Sequence, residues 1–435
     1  MSDPRMLALS PSGAVSERDS SALPSVATSD GRLSLLAASV GFLFAFRAVL
    51  VLISARWLNV GTEPGVIAGV LAEMLLMFMA VMQASGAKVK PLRWVLQLSS
   101  VRWVMAFLTF SCASLLWSAT VSPAASALYW STMAADVAIV LVLLRVGTAV
   151  ELAHSMMKGY IVAGVILAAI AWIMPLESDQ RLGDLDYFNT NQIGNLCAMG
   201  VFMAQLLSAR KDGRWSVAQV FLMLTLLRSL SKSTLAAFLV SQGVIFFRDK
   251  SITLGKKALL TIVVVAVFLA FSGIIASYFN TYTTTGNQAE TLTGRTGIWI
   301  YCLTEGIDKP WFGNGIDSLW KVAPPFGPEL FEARHAENEL LQQFFTYGLA
   351  GIAMLAGVYG SFYRSIRSLP RSATRAVLGA LLLYILIRGL AEAEPFDLLL
   401  PLWSITIISA YVGLHARVDS TRASAGIAQC QEAGI

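Results

Sequence analysis

The chain has 435 residues, and 32 Lys and Arg against 27 Asp and Glu give a formal net charge of +5. Hydrophobic residues make up 56% and charged residues 14%, whereas a soluble domain carries about 25% charged residues. So few charges cannot cover a water-soluble globule, and the same figures exclude a disordered chain and a disulfide scaffold. Four cysteines without a CxxC pair, and three histidines, give no indication of a metal site or a cofactor. The composition predicts an all-α polytopic membrane protein.

Long apolar stretches predict the transmembrane helices. A hydrocarbon core about 30 Å thick needs roughly 20 apolar residues per helix, and about twelve stretches meet this criterion. They are residues 33–55, 64–83, 101–118, 128–146, 158–175, 191–209, 214–230, 233–248, 257–279, 339–362, 374–391 and 397–415. The run from Phe221 to Phe247 holds Arg228 and Lys232 near its middle. We therefore interpret it as two short helices with the polar turn LRSLSKST between them.

Basic residues set the predicted orientation. With a cytoplasmic N-terminus, every inner loop carries Lys or Arg and the short outer loops are poor in both, which is the positive-inside pattern. Both termini are then cytoplasmic. The predicted organisation is a disordered tail over 1–32, nine helices over 33–279, an outer loop over 280–338, three helices over 339–416 and a tail over 417–435.

The outer loop 280–338 has predicted structure of its own. Loops longer than about 15 residues are uncommon unless they are functional. Residues 294–307 form a predicted amphipathic helix, lying on the membrane or on the bundle, that ends before Pro310. Its apolar stripe comprises Ile298, Trp299, Cys302, Leu303 and Gly306.

Cations from separate outer segments indicate an anion site beside the lipid. They are Arg181, Arg228, Lys232, Arg295, Arg334 and Arg388. The arginine fork matches phosphate geometry and stays charged. If these side chains converge on one cleft, its natural ligand is a lipid with a phosphate or pyrophosphate head group.

Four segments resemble those of the bacterial O-antigen ligase and polysaccharide polymerase superfamily (Wzy/WaaL type), in the same order. They are RLGDLDYFNTNQIGN, SLSKST, LTGRTGIWIYCLTEGIDKPWFGNG and RHAENELLQQFFTYGLAG, which together cover roughly residues 180–352. The SKST form and the complete LTGRT resemble exopolysaccharide polymerases more than lipid A–core ligases. The segment departs from the family at Glu337, where many relatives carry a second His or another residue.

The resemblance implies a GT-C-like fold and glycosyl transfer without a metal, a cofactor or a nucleotide sugar. The implied donor is an oligosaccharide on undecaprenyl pyrophosphate at the periplasmic face of the bacterial inner membrane. A polymerase passes the glycan to another lipid-linked repeat unit by an inverting displacement, whereas a ligase, the alternative, passes it to lipid A–core. The implied partners are these lipids, an acceptor glycan lipid and surrounding membrane lipids, with a flippase and a chain-length regulator as further candidates and no nucleic acid.

A transporter of lipid-linked oligosaccharide is a hypothesis of another class, because such proteins also have about twelve spans. Transporters tend to show internal repeats and polar residues at the middle of the membrane. In this sequence the polar residues gather towards one face, which favours the enzyme.

The resemblance and the side-chain chemistry together assign the predicted site. An imidazole is well suited to take a proton from a hydroxyl near neutral pH, so His335 is the predicted base. Arg295 and Arg181 are predicted to hold the pyrophosphate. The predicted substrate-binding residues are Lys232, Arg228, Glu337, Asn338 and Arg388.

Each assignment has a purely structural alternative. The cations could snorkel to lipid phosphates, Arg181 could form a surface ion pair, and His335 could be held by loop hydrogen bonds. Arg388 could pair with Glu392 at i+4. The acids Glu337, Glu392 and Glu394 could orient His335, assist as the base, or be solvated loop residues.

Overall fold

The computed structural model describes residues 31–87, 89–174, 182–183, 188–208, 215–248, 253–259, 261–262, 292–326 and 330–414. Within these residues the chain is built from helices, and no β-strand occurs among them. Arg181, nearly all of the two predicted tails, most of the predicted ninth span and part of the predicted outer loop lie outside the described residues.

Most helices begin and end close to the predicted positions, but one begins at Ala149 instead of 158, and a short helix at Arg93–Leu96 was not predicted. The first seven are α1 (Gly31–Leu52), α2 (Glu63–Gly86), α3 (Arg93–Leu96), α4 (Ser99–Ser114), α5 (Pro123–Val146), α6 (Ala149–Ile173) and α7 (Thr190–Ser208). The next six are α8 (Ser216–Ser229), α9 (Lys232–Arg248), α10 (Leu292–Asp308), α11 (Glu339–Ser368), α12 (Ala373–Arg388) and α13 (Leu402–Leu414). A short π-helix, Ile53–Trp57, extends α1.

Five helices are long and apolar enough to cross a membrane, judged by length and composition. They are Gly31–Trp57, Glu63–Gly86, Pro123–Val146, Ala149–Ile173 and Glu339–Ser368. Helices α4, α8, α9 and α12 have 14 to 17 residues, and at 1.5 Å per residue they rise only about 21–26 Å. In the described part of the chain the structure therefore shows five candidate spans, fewer than the roughly twelve predicted.

The predicted break between α8 and α9 is confirmed. Helix α8 ends at Ser229 and α9 begins at Lys232. Between them Leu230 has φ of +59°, in the left-handed region that ends helices. A polar turn thus replaces the middle of what hydropathy alone would make a single span.

Small residues let the central helices approach closely. A Cβ atom at Gly41 of α1 would lie 2.0 Å from the Met156 carbonyl oxygen of α6, and one at Gly159 would lie 1.8 Å from the Ala38 carbonyl oxygen. Within a membrane, such close backbone contact replaces the hydrophobic driving force between helices. One large apolar core then runs through the bundle from Leu36 to Val412.

Helix α10 packs on the bundle, against α11. Its buried stripe contains Ile298, Cys302 and Gly306, as predicted. Leu303, also in the predicted apolar stripe, is 47% exposed at its edge. Ile298 and Cys302 form a small second core with Leu319, Ala333, Ala336 and Phe345. This core holds the start of α10 next to the segment that precedes α11.

The chain after α10 docks onto a kink in α11. Gly348 has φ of +64° inside α11. Around this kink, backbone groups of α11 form hydrogen bonds with the chain that follows α10. The Leu349 amide donates to the Pro310 carbonyl at 2.7 Å, and the Gly315 amide donates to the Thr346 carbonyl at 2.8 Å. The chain that leaves the end of α10 is thereby tied to α11.

Candidate active site

Charged side chains from three parts of the chain meet in one place. Arg295 lies in the first turn of α10, His335 and Glu337 lie just before α11, Arg388 ends α12, and Glu392 lies between α12 and α13. We call these five residues the arginine–glutamate cluster. It unites two predicted catalytic residues, Arg295 and His335, with two predicted substrate-binding residues, Glu337 and Arg388.

Glutamates bridge the two arginines. Arg295 Nη2 lies 3.0 Å from Glu337 Oε2 and 3.3 Å from Glu392 Oε1. The other oxygen of Glu392, Oε2, lies 3.8 Å from Arg388 Nη2. The i+4 pair of Arg388 and Glu392 considered from the sequence is therefore present, and Glu392 also reaches a third element.

Burial strengthens the electrostatic interaction in these ion pairs. Arg388 is 2% exposed and Glu392 is 3% exposed, so solvent screens their interaction weakly. The two arginines and the glutamates Glu337 and Glu392 have formal charges that sum to zero. An anion must therefore be recognised through N–H groups that the glutamates leave unused.

Such N–H groups are present on both arginines. Among the described residues, Arg295 Nε and Arg388 Nη1 are buried and have no hydrogen-bond partner. Arg295 also lies where the free amides and positive dipole end of a helix favour anions. The cluster thus offers two separate guanidinium groups about one carboxylate, an arrangement that suits a ligand with two linked anionic groups.

The His335 ring has a defined environment. The Glu337 backbone N–H donates to His335 Nδ1 at 3.3 Å, while Glu337 Oε1 lies 3.7 Å from the same atom. Burial lowers the pKa of His335 from its ordinary value, so the ring is neutral near pH 7. A neutral ring that accepts at Nδ1 carries its proton on Nε2. In this arrangement Nε2 is a hydrogen-bond donor.

The chain holds His335 outside α11. Asn338 caps that helix, because its Oδ1 accepts from the Leu341 amide at 3.0 Å and its Nδ2 donates to the Leu390 carbonyl at 2.9 Å. Both ends of the predicted substrate-binding amide thus contact backbone. Glu337 has φ of +52°, which turns its side chain towards both Arg295 and His335.

Glu339 fixes the connection that carries Glu392. Its amide donates to the Gly389 carbonyl at 2.8 Å, and its Oε1 accepts from Tyr359 Oη at 2.7 Å and from the Leu399 amide at 2.9 Å. Glu339 therefore holds the connection between α12 and α13 at Gly389 and at Leu399, before and after Glu392 in the sequence.

Hydroxyl groups of the SLSKST turn complete the site. Ser233 Oγ donates to Glu392 Oε1 at 3.1 Å, and Arg388 Nε lies 3.4 Å from Thr234 Oγ1. Ser231 Oγ bonds both Thr234 Oγ1, at 2.8 Å, and Asn191 Oδ1, at 2.6 Å. This chain of bonds links the first motif, in α7, to the cluster.

Ser233 and Thr234 were missed in the prediction, which assigned the neighbouring cations. Lys232 begins α9 with an exposed side chain, and Arg228 is half-buried in the last turn of α8. Ser233 and Thr234 lie in the first turn of α9, and only the packing of that turn beside Arg388 and Glu392 reveals their place in the site. Arg334 has a different setting, with its guanidinium 4.8 Å from the Trp320 ring centroid.

Glu394 lies two residues after Glu392, on the same connection. It is half-buried, and its charge interacts with those of Arg388, His335, Glu392 and Glu337. Burial raises the pKa of this carboxyl group above its ordinary value. The cluster therefore has an additional acid beside it.

Comparisons with known proteins agree with the motifs. Residues 217–356 match the family model described as O-antigen ligase. The match includes Arg295, His335 and Glu337 but ends before Arg388 and Glu392. No curated protein matches the chain.

One solved structure has partial similarity. It is a chain from "Structural coordination of polymerization and crosslinking by a peptidoglycan synthase complex", with 14% identity and a TM-score of 0.42, covering 73% of this chain and 95% of that chain. A TM-score of this size does not define a shared fold. The apolar helices indicate a membrane protein, and residues 217–356 of the chain are similar to the O-antigen ligase family.

Proposed function

We propose that this protein is an integral-membrane glycosyltransferase that polymerises oligosaccharide repeat units carried on undecaprenyl pyrophosphate. The proposal places the reaction at the periplasmic face of the inner membrane and needs no metal. One observation carries it: Arg295, Arg388 and His335 lie around the shared acids Glu337 and Glu392. Two guanidinium groups beside an imidazole are what displacement of a diphosphate by a hydroxyl requires.

The proposed reaction is a single inverting displacement. The acceptor hydroxyl oxygen forms a bond to the anomeric carbon while the bond from that carbon to the pyrophosphate oxygen breaks. The electron pair leaves with undecaprenyl pyrophosphate, and Arg295 and Arg388 stabilise its charge through N–H groups. One preorganised donor of this kind contributes roughly 3–4 kcal/mol to transition-state stabilisation.

His335 lies where it can contact the reacting groups. Its side chain is 22% exposed, so the ring is accessible from the site although it packs beside Ala336. In the proposed reaction the partly exposed His335 ring binds the acceptor hydroxyl or exchanges its proton.

The polymerase is preferred over the ligase because of two motifs. The SKST turn provides the Ser233 bond to Glu392, and the complete LTGRT places Arg295 in the first turn of α10. Both resemble the polymerase forms of the motifs. The ligase would use the same cluster with lipid A–core as the acceptor.

The test is reconstitution of the purified protein in liposomes with a defined undecaprenyl-pyrophosphate-linked repeat unit. We expect a ladder of longer glycans that remain attached to undecaprenyl pyrophosphate, resolved by gel and mass spectrometry. A product on added lipid A–core would identify a ligase. Movement of the unextended lipid across the bilayer, without a longer glycan, would identify a transporter and contradict the proposal.

A further inference from the structure

We propose that Glu394 is the general base that takes the proton from the acceptor hydroxyl, and that His335 is a hydrogen-bond donor to the substrate. This inference rests on the proposed function and names the proton acceptor within the same site. Four side chains at or beside the cluster could receive a proton: His335, Glu337, Glu392 and Glu394.

Two of the acids are held by arginine. Glu337 Oε2 and Glu392 Oε1 both lie within 3.3 Å of Arg295 Nη2, and Glu392 Oε1 also accepts from Ser233. An acceptor hydroxyl would have to displace these contacts before it could reach either oxygen. We therefore infer that the two acids position the arginines and do not take the substrate proton.

His335 has its basic nitrogen occupied. The lone pair of Nδ1 points to the backbone N–H of Glu337 at 3.3 Å, and the proton lies on Nε2. To act as a base, the ring would have to give up this bond or change its tautomer. As it stands, Nε2–H can donate to a sugar hydroxyl oxygen or to a phosphoryl oxygen.

The Glu394 carboxylate is not occupied by contacts of this kind in the described part of the chain. Within the described part of the chain it makes no hydrogen bond and no ion pair within 4 Å, although it lies in the field of Arg388 and His335. It is half-buried on the connection that Glu339 holds in place, two residues after Glu392.

The surroundings of Glu394 suit a base that works near neutral pH. The charged groups that act on it are Arg388 of α12, His335 and Glu337 before α11, and Glu392 of its own connection, and it acts in turn on Glu339 and Asp397. Burial raises its pKa, which strengthens it as a base.

The hydroxyl proton moves to a Glu394 oxygen as the acceptor oxygen bonds to the anomeric carbon and undecaprenyl pyrophosphate departs with the electron pair. The protonated Glu394 then releases its proton to water, which restores the site. No oxidant or further reactant is needed.

The first test is kinetic, in liposomes with a lipid-linked repeat unit. We expect Glu394→Gln to lower kcat by about 10²- to 10⁴-fold with little change in KM for the donor, and Glu394→Asp to keep part of the activity. Wild type should lose activity as the pH falls through the raised pKa, and this acidic limb should be absent from the residual rate of Glu394→Gln. Glu332→Gln, an exposed acid near His335, is the matched control and should behave as wild type.

The second test is chemical rescue of Glu394→Ala with sodium azide. Azide needs no base, so it should attack the anomeric carbon and give an inverted glycosyl azide, whereas Arg295→Gln should give none. A Glu394→Gln variant with wild-type kcat, or a Glu394→Ala variant that azide does not rescue, would overturn the assignment of Glu394. Failure of wild type to extend any lipid-linked glycan would instead overturn the proposed function.

Discussion

Arg295 is the residue on which the cluster depends most. A single guanidinium nitrogen contacts Glu337 from the segment before α11 and Glu392 from the connection after α12. A buried charge that bridges two elements has a positional role as well as an electrostatic one. Because the arginine fork is planar and carries several donors, lysine cannot reproduce these contacts.

We therefore expect Arg295→Lys to lower the rate of glycan extension by about 10²-fold, since it loses a preorganised donor although it keeps the charge. The measurement is kcat with a lipid-linked repeat unit. The exposed Lys309, just after α10, provides the control, and Lys309→Gln should keep the wild-type rate. Equal activity of Arg295→Lys and wild type would show that the fork is not needed.

The lowered pKa of His335 predicts that the stability of the folded protein depends on pH. Because burial lowers its pKa, the unfolded chain binds more protons at this residue than the folded chain does below about pH 6.5. The stability due to the neutral ring is then fully present above about pH 6.5 and decreases as the pH falls through that value.

The check is the thermal midpoint of wild type and of His335→Gln in detergent, measured from pH 5 to pH 8. The difference between the two proteins isolates His335 from the acids around it. We expect the midpoint of wild type to fall relative to that of the variant below about pH 6.5. A difference that does not vary with pH would contradict a buried neutral ring.

At the scale of elements, the kink in α11 determines where α10 and the segment before α11 can lie. A Cβ atom on Gly348 would lie 2.5 Å from the Trp311 carbonyl carbon and 2.6 Å from the Pro310 carbonyl oxygen. Its positive φ also disfavours any other residue. The docking of residues 310–315 therefore depends on this glycine.

Gly348→Ala should destabilise the protein by at least about 1–3 kcal/mol, from backbone strain and from backbone contacts that cannot move away. Gly360 is the control in the same helix, because nothing lies within 4 Å of a Cβ atom there. Gly360→Ala should be neutral or stabilise by up to about 1 kcal/mol. Thermal unfolding of the two variants tests the difference, and equal midpoints would show that the docking is dispensable.

The sequence could predict elements better than it could predict contacts. Apolar runs and polar turns located α1, α2, α4 to α9 and α11 to α13 because burial in a bilayer requires them, and the break before Lys232 was marked by its charge. The short α3 was not predicted, because it is not an apolar run of membrane length. The kink at Gly348 was not predictable, since a glycine within an apolar run does not reveal its φ. Likewise Arg295 and His335 followed from motifs, whereas Ser233 became visible only through the packing of α9 on α12.

At the scale of the whole molecule, a second buried charge cluster joins α1, α2 and α5. Arg47 Nη1 donates to Asp136 Oδ2 at 2.8 Å, and Arg47 Nη2 lies 3.0 Å from Glu73 Oε2. Ionisable groups within membrane helices are costly unless they pair. Helix α5 also stacks Tyr129 on Phe396, with ring centroids 4.1 Å apart, so α5 contacts the connection that carries Glu392 and Glu394.

Removing one partner should leave a buried charge uncompensated. We expect Asp136→Ala to destabilise the protein by about 3–5 kcal/mol, whereas the triple variant Arg47→Met, Glu73→Leu, Asp136→Leu should recover most of this loss. Thermal unfolding in the same detergent provides the comparison. If the single and triple variants were equally unstable, stability would depend on the charged groups themselves. Neutralising the leftover charge would then not be enough to restore it.

Glycan extension by His335→Ala and Arg295→Ala tests the role of the arginine–glutamate cluster most directly. Each variant is reconstituted in liposomes and compared with wild type and Lys309→Gln. All four proteins must first show matching thermal midpoints and membrane insertion. We predict that wild type and Lys309→Gln lengthen a lipid-linked repeat unit, and that His335→Ala and Arg295→Ala lose extension. Extension at the wild-type rate by either variant would contradict the role given to this cluster.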